Sequence, residues 1–329
     1  MVKDFNYLNS LNFFRSVSGF GVCISHYFFY MNNIVFFEFL SFLFVEFFFI
    51  LSGYVLTPQL LKINTKENLK IFWYRRWIRT LPLFILCLIT FSFLFKKFDE
   101  DTVKYLFLIQ NVYPNFLNTD YISVLWSLSI EEYFYILFPL LLFFFKKINI
   151  LKISLILIVF YFFLNFVYSF YLQTSELRTN TFLRLDSIAY GIVLFFVIKR
   201  NIKINNKFVF ITLSFLLVYF FINFSNKDFN NLETFFYILT LKFFSFYFCF
   251  TFIKKENLFQ NFNKLGKILA NQVYSAYLFH LLFIYLLKSY SLNVYISFVI
   301  YIVLLLLFTL CIYNFFEKPL NSLRPKYVK

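Results

Sequence analysis

An arginine and a histidine, Arg15 and His26, sit inside the apolar stretch FFRSVSGFGVCISHYFF, and His26 is one of only two histidines in the chain. Eleven residues at about 100° each bring a helix back to within about 20° of its starting face, so on a helix the two side chains share a face, about 16 Å apart along the axis. Imidazole changes charge near neutral pH and can act as a general base. A guanidinium supplies fixed donors for a phosphate or a developing oxyanion. The same pair also has a plain reading: an arginine snorkelling to lipid headgroups and a histidine hydrogen-bonded within a bundle.

Further ionisable residues lie in apolar surroundings, where each is costly and marks a candidate site. In FVEFFFILSGYVL, Glu46 stands alone, and Ser52 with Gly53 forms a small-residue notch suited to close helix approach. In FWYRRWIRTLP, Arg75, Arg76 and Arg79 suit a phosphate, or equally a positively charged membrane anchor. In LWSLSIEEYFYILFP, Glu131 and Glu132 follow Trp126; two adjacent carboxylates suit stabilising an imidazolium or binding a hydroxyl. Arg184 with Asp186 in FLRLDSIAYG reads as an ion pair at the membrane surface or as part of a site. His280 in VYSAYLFHLL reads as a structural or a supporting imidazole, and Lys242 as snorkelling or paired with a carboxylate.

The elements that must hold these residues follow from composition. The chain is 61% hydrophobic, 26% aromatic and only 14% charged, against about 45–50% apolar and about 25% charged in soluble domains. This is an all-α polytopic membrane bundle, organised as a single domain over residues 1–329. Runs of about 20 apolar residues predict about ten transmembrane helices, at 11–31, 34–57, 77–95, 124–145, 151–172, 182–198, 207–224, 232–253, 268–288 and 292–316. With both termini cytoplasmic, the inner loops carry most of the 31 basic residues, while the outer side keeps Lys96, Lys97, Lys104, Arg178, Lys227 and Lys288. That asymmetry obeys the positive-inside rule. The net charge of +15 therefore reads as topology and contact with anionic lipid, not nucleic acid, for which no motif is present. The abundant Phe serves as a general lipid-facing residue. Cys23, Cys87, Cys249 and Cys311 form no C-x-x-C pair, so neither a metal site nor a disulfide framework is expected. The first apolar run lacks a small-residue cleavage site and reads as an uncleaved span.

In order along the chain, these segments resemble the acyltransferase-3 family of integral-membrane O-acyltransferases. Arg15-x10-His26 is similar to its first-helix signature, VEFFFILSGYVL to its acid–aromatic–Ser-Gly motif, and YRRWIRTLP to its Arg-Arg-x-x-Arg-x-x-Pro motif. WSLSIEEYFYILFP matches its Trp-Ser-Leu-x-x-Glu-Glu segment, and RLDSIAYG, YSAYLFH and FFEKP fall where the family has comparable segments. Asn12 and Phe13 stand where relatives often have Asp-Gly, and Glu46 replaces a commoner Asp. No periplasmic esterase-like domain is expected, since only a short basic tail follows the tenth span. The resemblance implies transfer of an acyl group, commonly acetyl, from acyl-CoA to a hydroxyl of a cell-surface glycan or lipid-linked saccharide, in a bacterial inner membrane and with no bound cofactor. It implies His26, Arg15, Glu131 and Glu132 as catalytic, Arg75, Arg76 and Arg79 as donor-binding, and Glu46, Ser52, Gly53, Trp126, Arg184, Asp186 and His280 as supporting. The rival function from another class is a proton-coupled transporter or a flippase of a lipid-linked glycan, which also uses buried Arg, His and Glu.

Overall fold

The protein is described here by a computed structural model covering residues 9–328 except 114–115, 146–147, 173, 205–206, 227–229, 255–261 and 291; Lys227 of the charge pattern lies outside the described residues. Among those residues all regular structure is helical. The order is α1 (Asn9–Asn32), α2 (Val35–Leu60), α3 (Lys66–Phe95), the short α4 (Glu100–Leu106), α5 (Trp126–Phe144), α6 (Ile150–Tyr168), the short α7 (Thr174–Thr179), α8 (Asp186–Lys199), α9 (Lys207–Asn226), α10 (Asn231–Lys254), α11 (Asn263–Lys288), α12 (Val294–Ile312) and the short α13 (Lys318–Ser322). A π-helical turn, Tyr313–Glu317, links the last two.

Every expected span has a helix, and of the boundaries that differ two have a clear local reason. The third begins at Lys66, well before the apolar run, because the Thr65 side chain accepts the Asn68 N–H at 3.2 Å and Glu67 favours the first turn. The sixth starts late. A 3-10 turn at Thr181–Leu183, capped by Asn180, precedes α8, so Arg184 lies outside the helix and Asp186 opens it. Among the described residues, eight helices are long and apolar enough to cross a membrane, α1 and α9 falling outside that set. Arg15 and several Asn and Ser residues dilute the apolar character of α1, and the apolar part of α9 is short. Phenylalanines such as Phe144, Phe208 and Phe215 are more than two-thirds exposed, a surface that suits acyl chains rather than water.

The chain divides into two compact units. One comprises Met1–Leu51, Asn201–Asp228 and Thr240–Phe315; the other comprises Ser52–Arg200, Phe229–Leu239 and Phe316–Lys329. The first is organised around α1 and α11. A Cβ on Gly19 would stand 2.5 Å from Val273 Cγ1, and one on Gly266 would stand 3.1 Å from Phe13 Cα. The Ser16 hydroxyl donates to the Gly266 carbonyl at 2.9 Å. Pairs Phe13–Gly266, Gly19–Val273 and His26–His280 therefore step along both helices in the same direction, by about seven residues, as in a parallel heptad seam. Tyr301 ties α12 to this pair through the Cys23 carbonyl, 3.0 Å, and Tyr27 through the Val294 carbonyl, 2.9 Å.

That parallel pairing bears on the number of crossings. Counted from the start of α1 to the start of α11, which runs parallel to it, the chain has crossed the membrane an even number of times, α1 included. With α4 and α7 set aside as too short, α1 to α10 make an even number only if α9 crosses too.

In the second unit α6 packs along α8, and Asn165 donates to the Leu183 carbonyl at 3.0 Å, fixing the turn before α8.

Candidate functional site

The histidines meet. His26 Nδ1 lies 2.8 Å from His280 Nε2, with the rings 19° from coplanar and their centroids 5.1 Å apart. With so short a nitrogen–nitrogen contact, that separation is what rings meeting edge to edge in a shared plane would show. The Tyr30 ring stands edge-on to His26, at 5.9 Å. His280 is fully sealed, whereas His26 is half-buried. Arg15, on the same face of α1 by helical spacing, is also half-buried. In the same unit Glu46 is buried and lies within electrostatic range of Cys249 on α10. Lys242, also buried, falls seven residues before Cys249 and so on the same face of α10.

In the second unit, three of the motifs singled out in the sequence meet in a polar cluster. Ser52 on α2 donates its hydroxyl hydrogen to Glu131 Oε1 at 2.5 Å, and the Tyr135 hydroxyl donates to Glu131 Oε2 at 3.0 Å. The guanidinium of buried Arg76 covers the rings of Tyr135, at 5.5 Å, and Phe72, at 5.7 Å. Glu132 is also buried and is electrostatically coupled to Arg76 and Glu131, and Arg79 lies within range of Tyr135. Trp73 donates its indole hydrogen to the Tyr135 carbonyl at 2.9 Å, fixing α3 against α5. Gly53 allows that arrangement on its other side, where α2 meets α8: a Cβ there would stand 1.9 Å from the Ile188 carbonyl oxygen.

Arg75 faces elsewhere. It donates to the Pro325 carbonyl and lies over the Tyr327 ring at 5.3 Å; Lys62 Nζ lies 5.4 Å from the same ring. Asn68 holds the adjoining residue by both backbone groups, accepting from the Val328 N–H at 3.0 Å and donating to its carbonyl at 3.2 Å. Arg178 covers Trp126 at 5.7 Å. Arg184 and Asp186 are both buried at the start of α8, with Tyr161 within range of Asp186. No cluster of three or more His, Cys, Asp or Glu side chains suited to a metal ion occurs among the described residues.

The sequence pointed to a glutamate as the partner of His26. Within its own unit His26 meets His280, and in the other unit the two oxygens of Glu131 accept from Ser52 and Tyr135. Tyr135 and Asn68 are not among the site residues expected from the sequence. Tyr135 had a readable signal, since it follows Glu131 by four residues and so shares its helix face.

Among known proteins, the chain is 28% identical to the O-acetyltransferase OatA of Staphylococcus aureus strain NCTC 8325 / PS 47 over 359 residues, covering 96% of this chain and 57% of that protein. OatA of strain MRSA252 gives the same figures. The chain thus spans little more than half the length of these relatives. No solved structure matches. The model of the acyltransferase domain family matches residues 8–314, so the chain belongs to that family.

Proposed function

We propose that this chain is a membrane O-acyltransferase that moves an acyl group, acetyl in the first instance, from a coenzyme A thioester to a hydroxyl of a cell-surface glycan or lipid-linked saccharide. Family membership and the similarity to O-acetyltransferases support the reaction class, and the apolar helices support an integral membrane protein. The bacterial inner membrane, with both termini in the cytoplasm, is the location that suits a cytoplasmic thioester and an external glycan.

The observation that carries the reading is the difference between the two imidazoles. His280 is sealed, while His26 is half-buried with its ring fixed by a hydrogen bond. A sugar hydroxyl is a weak nucleophile and needs a positioned base of near-neutral pKa, which His26 supplies. Arg15, on the same helix face, supplies positive charge for the tetrahedral oxyanion or for donor phosphates. Arg76 and Arg79 suit the donor's phosphates from the α3 side, and Arg75 joins them if the donor displaces or adds to its contacts with residues 325–327.

The test is transfer of label from acetyl-coenzyme A to candidate glycans by purified protein, with His26→Ala and Arg15→Ala as comparisons. Both substitutions abolish transfer while the protein still inserts. Full activity in either removes the assignment. Gradient-driven glycan movement with no thioester consumed replaces it with the transporter reading.

A further inference from the structure

We infer that His280 is a positioning residue that holds His26 in the Nδ1–H tautomer, so that Nε2 is the nitrogen that takes the acceptor's proton; this rests on the base role proposed for His26. One line of hydrogen bonds sets the two tautomers. His280 Nδ1 lies 2.7 Å from the Tyr277 carbonyl oxygen, one turn back on α11. A carbonyl only accepts, so His280 carries a hydrogen on Nδ1. The neutral ring then has a lone pair on Nε2. A second hydrogen there would make a cation of a fully sealed side chain, which is costly without a paired carboxylate. Nε2 faces His26 Nδ1 at 2.8 Å, so His26 is the donor in that contact and its own lone pair sits on Nε2.

The surrounding helices make this arrangement rigid. His280 follows Val273 and Gly266 at steps of seven on α11, and His26 follows Gly19 by seven on α1. The two imidazoles are thus the next rung of the seam that Gly19–Val273 and Phe13–Gly266 build. A slip of α1 against α11 would drive Val273 or the Phe13 backbone into the glycine notches. The near-coplanar rings point the His26 donor along the His280 lone pair.

In the reaction, the acceptor's O–H proton passes to His26 Nε2. The oxygen's electron pair bonds to the thioester carbonyl carbon, the C–S bond breaks, and the proton leaves with the thiolate as the thiol. His280 is unchanged throughout. It keeps the lone pair of His26 on the outer nitrogen and stabilises the imidazolium by accepting its Nδ1 hydrogen, a task usually given to a carboxylate.

The chain's two histidines make a direct test possible. In protein labelled with 15N-histidine and held in detergent micelles, the spectrum contains two imidazoles outside any tag. The expected result is that both carry hydrogen on Nδ1, and that His280→Phe moves His26 towards the Nε2–H form. A wild-type spectrum with His26 carrying its hydrogen on Nε2 overturns the inference. This readout is independent of acyl transfer, so it stands or falls apart from the proposed reaction. In the transfer assay, His280→Phe lowers kcat by about a hundredfold or more with KM for the donor unchanged, in the range of general-base catalysis. His280→Gln, whose carbonyl oxygen reaches the place of Nε2, recovers at least tenfold over His280→Phe. Equal activity of the Gln and Phe variants, with both proteins folded, overturns the inference.

Discussion

Gly53 of α2 rests directly on the backbone of α8: a Cβ there would stand 1.9 Å from the Ile188 carbonyl oxygen and 3.0 Å from Gly191 Cα. Both obstacles are backbone, so no rotamer change relieves the clash and the helices must separate. Overpacking of this kind costs typically about 1–3 kcal/mol, and Gly53→Ala falls at the upper end. Thermal unfolding in detergent shows the loss as a clear drop in Tm. An unchanged Tm would mean that α2 and α8 are not in this contact.

Glu131 is the hub of the cluster it belongs to, accepting from Ser52 and Tyr135 on separate oxygens. Hydrogen bonds to a charged acceptor contribute about 1.5–3 kcal/mol each. Ser52→Ala and Tyr135→Phe each lower unfolding stability by about that amount. Their effects are not additive with Glu131→Gln, which already disturbs both bonds. A double-mutant cycle checks this; strict additivity would show that the three side chains do not act together.

How legible this was from the sequence differs by distance along the chain. The helices were legible because runs of some 20 apolar residues leave the backbone no other way to satisfy itself in lipid. That Arg15 and His26 share a face follows from spacing alone. The His26–His280 contact joins residues 254 positions apart, and no local pattern says which two helices pair. The heptad steps through Gly19 and Gly266 are visible in the sequence, but only the contact between α1 and α11 gives them meaning. The three arginines of YRRWIRTLP look equivalent in sequence. Their different fates arise because Arg76 faces α5 while Arg75 meets residues 325–327, which the local pattern does not encode.

Residues 325–328 are fastened over the start of α3, and Asn68 is the clasp. Its side chain meets both the N–H and the carbonyl of Val328, and also donates to the Lys62 carbonyl at 3.0 Å. Asn68→Ala removes all three bonds, a cost of about 1–3 kcal/mol from the segment. Hydrogen–deuterium exchange at the Val328 amide then quickens by about ten- to a hundredfold. Exchange at the wild-type rate would place the hold on this segment elsewhere, for instance on Arg75 and Tyr327.

The loop between α3 and α5, outside the spans, is organised around Asp101. Its carboxylate is enclosed and accepts the backbone N–H of Asn118 at 3.1 Å and of Thr119 at 2.8 Å, with the Lys104 ammonium at 3.1 Å. Burial alone would raise the pKa of this group, but the two amides and the lysine together outweigh it and hold the carboxyl below its ordinary value. A carboxylate with a lowered folded pKa adds stability that is fully present above the unfolded value, about 3.9, and is lost as pH falls through the lower folded value. Asp101→Asn therefore destabilises the protein at neutral pH, by roughly the 1.5–3 kcal/mol of a charge-assisted bond. It also removes part of the acid limb seen when Tm is followed from pH 6 down to pH 3. A variant whose acid limb matches that of the wild type would show that Asp101 is not the group that titrates there.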